Sequence, residues 1–379
     1  MSGWVPRFEV HRCRSVEEAR VLLTGSRPWA GVLLDGSDPA ADRDLIALAA
    51  EAGARAVVIT ATQSPVDWEA LGAHATLSAD FDESDLAGAL ARPAPEAAVP
   101  SVQEPLVCVT GPGGTGASTV AIALSQGLVR MGRVLLADLC RNAELHVLHH
   151  LGSERPWIGD LVQAHRTSVL DPARLRGLPT TVDRGYDVLP GLRRAVGWSS
   201  LRPHAIDATL RGLRAAYDFV VCDIDADLEG QAEGGSFDVE ERNALSRTAV
   251  ANCAGVVVVG GPGAKGAHSL LRVLGEFWAH GLPPQRTIAV VNRGGDVSVE
   301  RLGDALSRLG AGGTQTLHLP EVSLEPVLLA DAPLPAALVE PITHAVRTLL
   351  ADEPSGPSTA PERIVPGSLG VSKRGQYET

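Results

Sequence analysis

Nine residues constrain this chain more than any others: Gly111-Pro112-Gly113-Gly114-Thr115-Gly116-Ala117-Ser118-Thr119. They directly follow the apolar run Leu106–Thr110 and open a helical pattern that continues to Met131. A buried strand that turns through glycines straight into a helix is the opening unit of an open α/β sheet, whose ligands bind beyond the C-terminal ends of its strands. Glycines put no Cβ in the way of a bound group. Their N–H groups can point inward as an anion nest, and the helix that follows adds its positive end. The spacing is that of a G-x-x-x-x-G-K-[ST] phosphate loop, with Ala117 in the lysine position and Ser118 placed to offer a hydroxyl to Mg²⁺. The candidate phosphate-binding residues are therefore Gly111, Gly113, Gly114, Thr115, Gly116, Ala117, Ser118 and Thr119. The lysine would bring a positive charge to the phosphates; alanine brings none.

Proline-rich stretches divide the chain. Residues 92–104 (RPAPEAAVPSVQE) read as a linker, and 353–379, rich in Pro, Ser and Gly, as a disordered tail. Residues 1–91 alternate strand and helix patterns, which predicts a small parallel sheet: strands at 8–12, 30–36, 54–62 and 75–79, helices at 15–25, 40–53, 65–73 and 83–91. Residues 105–352 continue the alternation through strands at 105–111, 133–139, 186–191, 218–225, 254–262, 286–294 and 314–320. This second unit is expected to be a doubly wound α/β domain with a mainly parallel sheet.

Charge and composition exclude several classes. The net charge of −12 argues against a generic nucleic-acid binder, which needs clustered Lys and Arg. Lysine is scarce, and nearly all positive charge is arginine. The five cysteines form no C-x-x-C pair and read as free thiols of a reducing cytoplasm. No apolar run approaches the roughly 18 residues of a membrane span. Prolines at 357, 361 and 366 leave the tail no amphipathic face for a membrane surface. A cytoplasmic protein is expected, without direct membrane insertion.

With these motifs in order, the sequence resembles the MinD/ParA superfamily of deviant Walker P-loop ATPases, and more narrowly the CpaE/TadZ-like proteins of pilus assembly. The family's loop, K-G-G-x-G-K-[TS]-[TS], aligns without gaps on PGGTGAST (112–119). Pro112 stands at the signature lysine and Ala117 at the loop lysine, so both cations are lost together. RVLLADLCRN (133–142) resembles the strand ending in D-x-D, with Asp138 as its first acid and Cys140 in place of the second. DFVVCD (218–223) resembles Walker B, and AVVNR (289–293) the strand whose Asn reads adenine. The segment 319–335 resembles the family's closing stretch near the base. The resemblance implies catalytic roles for Asp138 and Asp223, Mg²⁺ ligation by Ser118 and Asp223, and adenine contact by Asn292. It implies ATP and Mg²⁺ as cofactors, here held weakly. Phosphoryl transfer depends on charge neutralisation, so hydrolysis is expected to be weak or lost. Arg141 and Lys265 are the candidate replacement cations.

Residues 8–91 resemble a degenerate response-regulator receiver, a smaller flavodoxin-like α/β domain placed before the P-loop domain. Asp35 falls at the phospho-acceptor position and Ala79 where the receiver lysine belongs. Apart from Glu17 and Glu18, which fall on the expected helix, no acidic pair precedes Asp35 to hold Mg²⁺, so docking or dimerisation is expected of this unit, not phosphorylation. The resemblance implies a localisation factor that positions a pilus, secretion or septum assembly through protein partners at a pole or septum. The alternative is an active MinD/ParA-type ATPase of septum-site placement or partitioning. A homodimer would have to rest on surfaces other than the lost signature lysine.

Overall fold

The computed structural model describes residues 9–61, 64–92, 104–294, 299–323 and 332–351. The expected linker lies outside them except for its two ends, and the expected tail lies wholly outside.

Residues 9–92 build a three-stranded parallel sheet, β1 (Gly31–Asp35), β2 (Arg55–Thr60) and β3 (Ala75–Ser78), in that spatial order. Helices α1 (Val16–Leu23) and α2 (Arg43–Glu51) cover one face around Leu34, Leu45, Ile46 and Val58. Helix α3 (Glu83–Ala91) covers the other around Val57, Leu86 and Leu90. Each helix begins where a short polar side chain can take a free N–H: Ser15, Asp42 and Asp82 accept from the backbone of Glu18, Leu45 and Asp85. Two expected elements are absent. Of the strand expected at 8–12, residues 9–12 form none, and residue 8 lies outside the described residues. Residues 65–73 make turns instead of a helix, because the chain leaves αR at Gly72, with φ +105°, after a single turn.

The larger unit is an eight-stranded sheet. Its strands are β4 (Leu106–Thr110), β5 (Val134–Asp138), β6 (Thr180–Thr181), β7 (Asp187–Leu189), β8 (Phe219–Asp223), β9 (Gly255–Gly260), β10 (Thr287–Val291) and β11 (Gln315–His318). The spatial order is β11-β10-β9-β4-β8-β5-β7-β6, and only the β6–β7 pair is antiparallel. Strands β4, β5, β9 and β10 are buried along their whole length, which is why they read as unbroken apolar runs. Helix α4 (Ala117–Leu128) and the helix Ala336–Ala351 cover one face through Val120, Leu124, Ile342 and Val346. The helices Ile158–His165, Pro203–Ala216, Ala244–Asn252 and Gly263–Ala279 cover the other. The order reverses at β4, so the crevice of the fold lies at its C-terminal end, where the glycine-rich loop begins.

The small unit is fastened to the large one by buried carboxylates. Asp42 is fully buried. It accepts from Arg166 Nε at 2.9 Å and lies 2.7 Å from Arg166 Nη2, with Arg20 at 3.7 Å. Arg43 donates to the backbone of His165 and Ser168, and its own N–H to the Arg166 carbonyl. Asp44, 1% exposed, accepts from the N–H groups of His204 at 2.7 Å and Ala205 at 3.2 Å. The helix Pro203–Ala216 has no side-chain cap of its own, so Asp44 caps it from the other unit. Burial holds the Asp44 carboxyl above its ordinary value. Replacing Arg166 by Ala leaves Asp42 buried with the Leu45 amide and, for a counter-charge, only a distant arginine. The expected cost is roughly 3 kcal/mol, read as a lower urea midpoint, and Arg166→Lys is expected to recover part of it.

Candidate functional site

The loop Gly111–Thr119 is closed on itself. Thr115 donates both its N–H, at 3.2 Å, and its hydroxyl, at 2.8 Å, to the Pro112 carbonyl. Gly111 passes so close to β9 that a Cβ there would stand 2.2 Å from the Val259 oxygen. Gly116 has φ +90°, and its Cβ would meet Asn292 Nδ2 at 2.5 Å. Helix α4 starts at the next residue without a side-chain cap, which leaves its first-turn amides free to receive an anion.

The acids stand on neighbouring strands at the same level. Asp138 and Asp223 are register partners of β5 and β8. Asp138 is fully buried and accepts from the N–H groups of Cys140 at 3.1 Å and Leu145 at 3.0 Å, so its carboxylate orders the loop after β5. Asp223, 3% exposed, receives the Ser118 hydroxyl. Burial, reinforced by the Asp138 charge, pushes Asp223 up to about 8. Burial, against the pull of the Leu145 and Cys140 amides, raises Asp138 to about 6. Burial and the nearby acids hold the Cys140 thiol far above its ordinary value, so it is no nucleophile. Hydroxyl and carboxylate oxygens are donors that suit Mg²⁺, so Ser118 and Asp223 fit the metal role read from the sequence. Among the described residues, His, Cys, Asp and Glu form no cluster of three or more that could hold a metal by themselves.

Beside the loop lies a cavity of about 200 Å³ lined by Gly116, Thr119, Asn292, Arg293, Leu319 and Pro320. Its apolar walls and the nearly buried Asn292 side chain suit a flat heterocycle with polar edges. One Asn292 N–H is already committed to the Thr115 carbonyl at 2.8 Å. The second N–H and the side-chain oxygen complete its hydrogen-bonding capacity. The stretch 319–335 lines this cavity through Leu319, Pro320 and Val322, while its residues 324–331 lie outside the described ones.

The two cations singled out from the sequence stand elsewhere. Arg141 donates from Nε to Asp225 at 2.8 Å and reaches Asp227 at 3.7 Å, which Arg242 also holds. Its charge is spent tying the loop after β5 to the loop after β8. Lys265 is exposed in the first turn of the helix Gly263–Ala279. The residue that sequence reasoning missed is Arg293, which donates from Nη2 to the Gly114 carbonyl at 2.5 Å. Its only sequence signal is that it follows Asn292 at the end of an apolar strand.

Neither a family model nor a curated protein matches the sequence. Solved structures do. A ParA family ATPase from Chlorobium tepidum matches at TM-score 0.50 and 15% identity, over 64% of this chain and 99% of its own. The septum site-determining protein MinD of Pyrococcus horikoshii, complexed with Mg-ADP, matches at 0.49 and 18%, over 66% and 97%. A chain of the MinC:MinD cell division protein complex of Aquifex aeolicus matches at 0.47 and 19%, over 66% and 96%. The likeness to the ParA family ATPase shows the fold of the large unit, a P-loop α/β sheet.

The buried acids have a measurable consequence. A carboxyl raised in the folded state stabilises that state fully below its ordinary value of 3.8, and the contribution is lost as pH rises toward about 8. Asp223→Asn removes the ionisation and keeps the shape. The melting temperature of the variant is expected to equal that of the parent near pH 4, to exceed it increasingly up to pH 8, and to hold that lead above.

Proposed function

We propose that this chain is a MinD/ParA-type localisation factor, akin to the CpaE/TadZ-like proteins, that positions a pilus, secretion or septum assembly and binds ATP weakly or not at all. The observation that carries this reading is a phosphate loop with its shape kept and its lysines gone. The closed turn, the left-handed Gly116, the uncapped start of α4 and the Ser118–Asp223 pair are all present. Pro112 and Ala117 bring no charge, and Arg141 is held by Asp225. ATP would lie with its phosphates on the loop amides and its base beside Asn292, and Mg²⁺ would sit between Ser118 and Asp223. Bound there, the metal would neutralise phosphate charge. Asp138, spent on two backbone amides, would act by ordering its loop.

The intact acid–hydroxyl pair and base cavity favour the alternative, a working ATPase of septum-site placement or partitioning. The paired loss of both lysines weighs against it. In the proposed reading the unit before the linker is a degenerate receiver that serves docking or dimerisation. Asp35, at the end of β1, is exposed and turned back onto Ser37, whose N–H and hydroxyl it accepts. The partners are proteins of the assembly, reached at a pole or septum without insertion into the membrane. Nucleic acid is disfavoured by the charge of −12.

ATP titrations with and without Mg²⁺ test this reading. Little or no turnover is expected, and Ala117→Lys is expected to tighten ATP binding by about tenfold, the worth of one charge-assisted contact. Robust Mg²⁺-dependent hydrolysis by the unmodified protein, abolished by Asp223→Ala, would overturn it.

A further inference from the structure

We infer that Arg293 is the cation of the phosphate loop, supplying from the end of β10 the positive charge that positions 112 and 117 no longer carry, so that an anionic nucleotide is still preferred over its uncharged nucleoside. This inference rests on the reading that the loop and the adjoining cavity take a nucleotide.

Three observations support it. The first is position. The guanidinium sits on the Gly114 carbonyl, in the stretch of loop between Pro112 and Ala117, and also lines the cavity beside the loop. A loop lysine and this arginine therefore approach the same few residues from opposite directions in sequence, one from within the loop and one across the sheet. The second is backbone. Arg293 has φ +60°, a left-handed conformation that a residue with a Cβ adopts at a cost and that gathers at functional sites. The turn carries two successive side chains onto two successive loop carbonyls, Asn292 onto Thr115 and Arg293 onto Gly114. The third is elimination. The chain contains two lysines, Lys265 and Lys373. Lys265 lies on another helix, Lys373 falls outside the described residues, and Arg141 is neutralised by Asp225 and Asp227. Among the described residues, Arg293 is the cation that touches the loop.

The chemistry is that of a fork. A guanidinium has five N–H donors, and the Gly114 contact uses one. Arg293 is exposed, so its other donors face solvent at the rim where phosphate oxygens would emerge from the loop.

The experiment compares ATP, ADP and adenosine binding, in Mg²⁺, for the parent protein, Arg293→Gln, and Arg293→Gln combined with Ala117→Lys. The parent is expected to prefer ATP to adenosine. Arg293→Gln should lose about tenfold in ATP affinity with adenosine unchanged, and a lysine restored at 117 should recover it. An equal loss for ATP and adenosine would make Arg293 a clasp of the cavity and overturn the inference, as would undiminished ATP binding by Arg293→Gln. Either result leaves the nucleotide reading standing. A parent that binds none of the three overturns this inference together with the nucleotide reading of the loop, and leaves the proposed localisation role, which allows for no ATP binding, standing. If melting shows that Arg293→Gln does not fold, Arg293→Lys replaces it: retained preference for ATP supports the charge role, and loss of that preference with adenosine binding intact overturns it.

Discussion

Strand β4 is buried on both faces and hydrogen-bonded along both edges, to β8 and β9. A chain leaving such a strand must turn at once or carry unpaired polar groups through the core. Everything at the site follows from how that turn is made. Gly111 slides under the Val259 carbonyl, Thr115 closes the loop on Pro112, and left-handed Gly116 starts α4 with its first amides open. None of these features needs a lysine. The loop can therefore keep the shape of a phosphate cradle after losing its charge, because shape and charge are supplied by different residues.

Charge is redistributed around the cradle. Two carboxyls stand side by side on β5 and β8 and are both raised by burial first, Asp223 further by the Asp138 charge and Asp138 further by the Asp225 charge. Polar groups meet both: backbone amides at Asp138 and the Ser118 hydroxyl at Asp223. The arginine nearest in sequence, Arg141, instead ties together the two loops that follow these strands. A motor needs those loops free to change with the ligand, whereas a scaffold gains from loops held by internal ion pairs. The Arg141–Asp225–Asp227–Arg242 network is compatible with the proposed reading, in which the chain positions more than it turns over.

The junction between the two sheets uses the same physics. Asp44 caps a helix of the other unit, and Asp42 spends its two oxygens on the start of α2 and on Arg166. Buried carboxylates demand partners, so each fixes the orientation of what it meets. The small unit is in this way seated on the helices Ile158–His165 and Pro203–Ala216, on the sheet face opposite α4.

Most of the elements, and the chemistry of the loop, were legible in the sequence. Unbroken apolar runs could only be strands buried on both faces, glycine spacing marked the cradle, and Ala117 and Pro112 declared the missing charge. It misjudged residues 65–73, where Gly72 ends the pattern after one turn, and the stretch 8–12, whose described residues 9–12 have strand-like composition but form no strand. It also looked to Arg141 and Lys265 for a cation. That Arg141 faces acids and Arg293 faces the loop emerges from the folded chain. The partners of a charged side chain are set by segments distant in sequence, 84 residues away for Arg141 and 179 for Arg293, and no local pattern encodes which of them will meet.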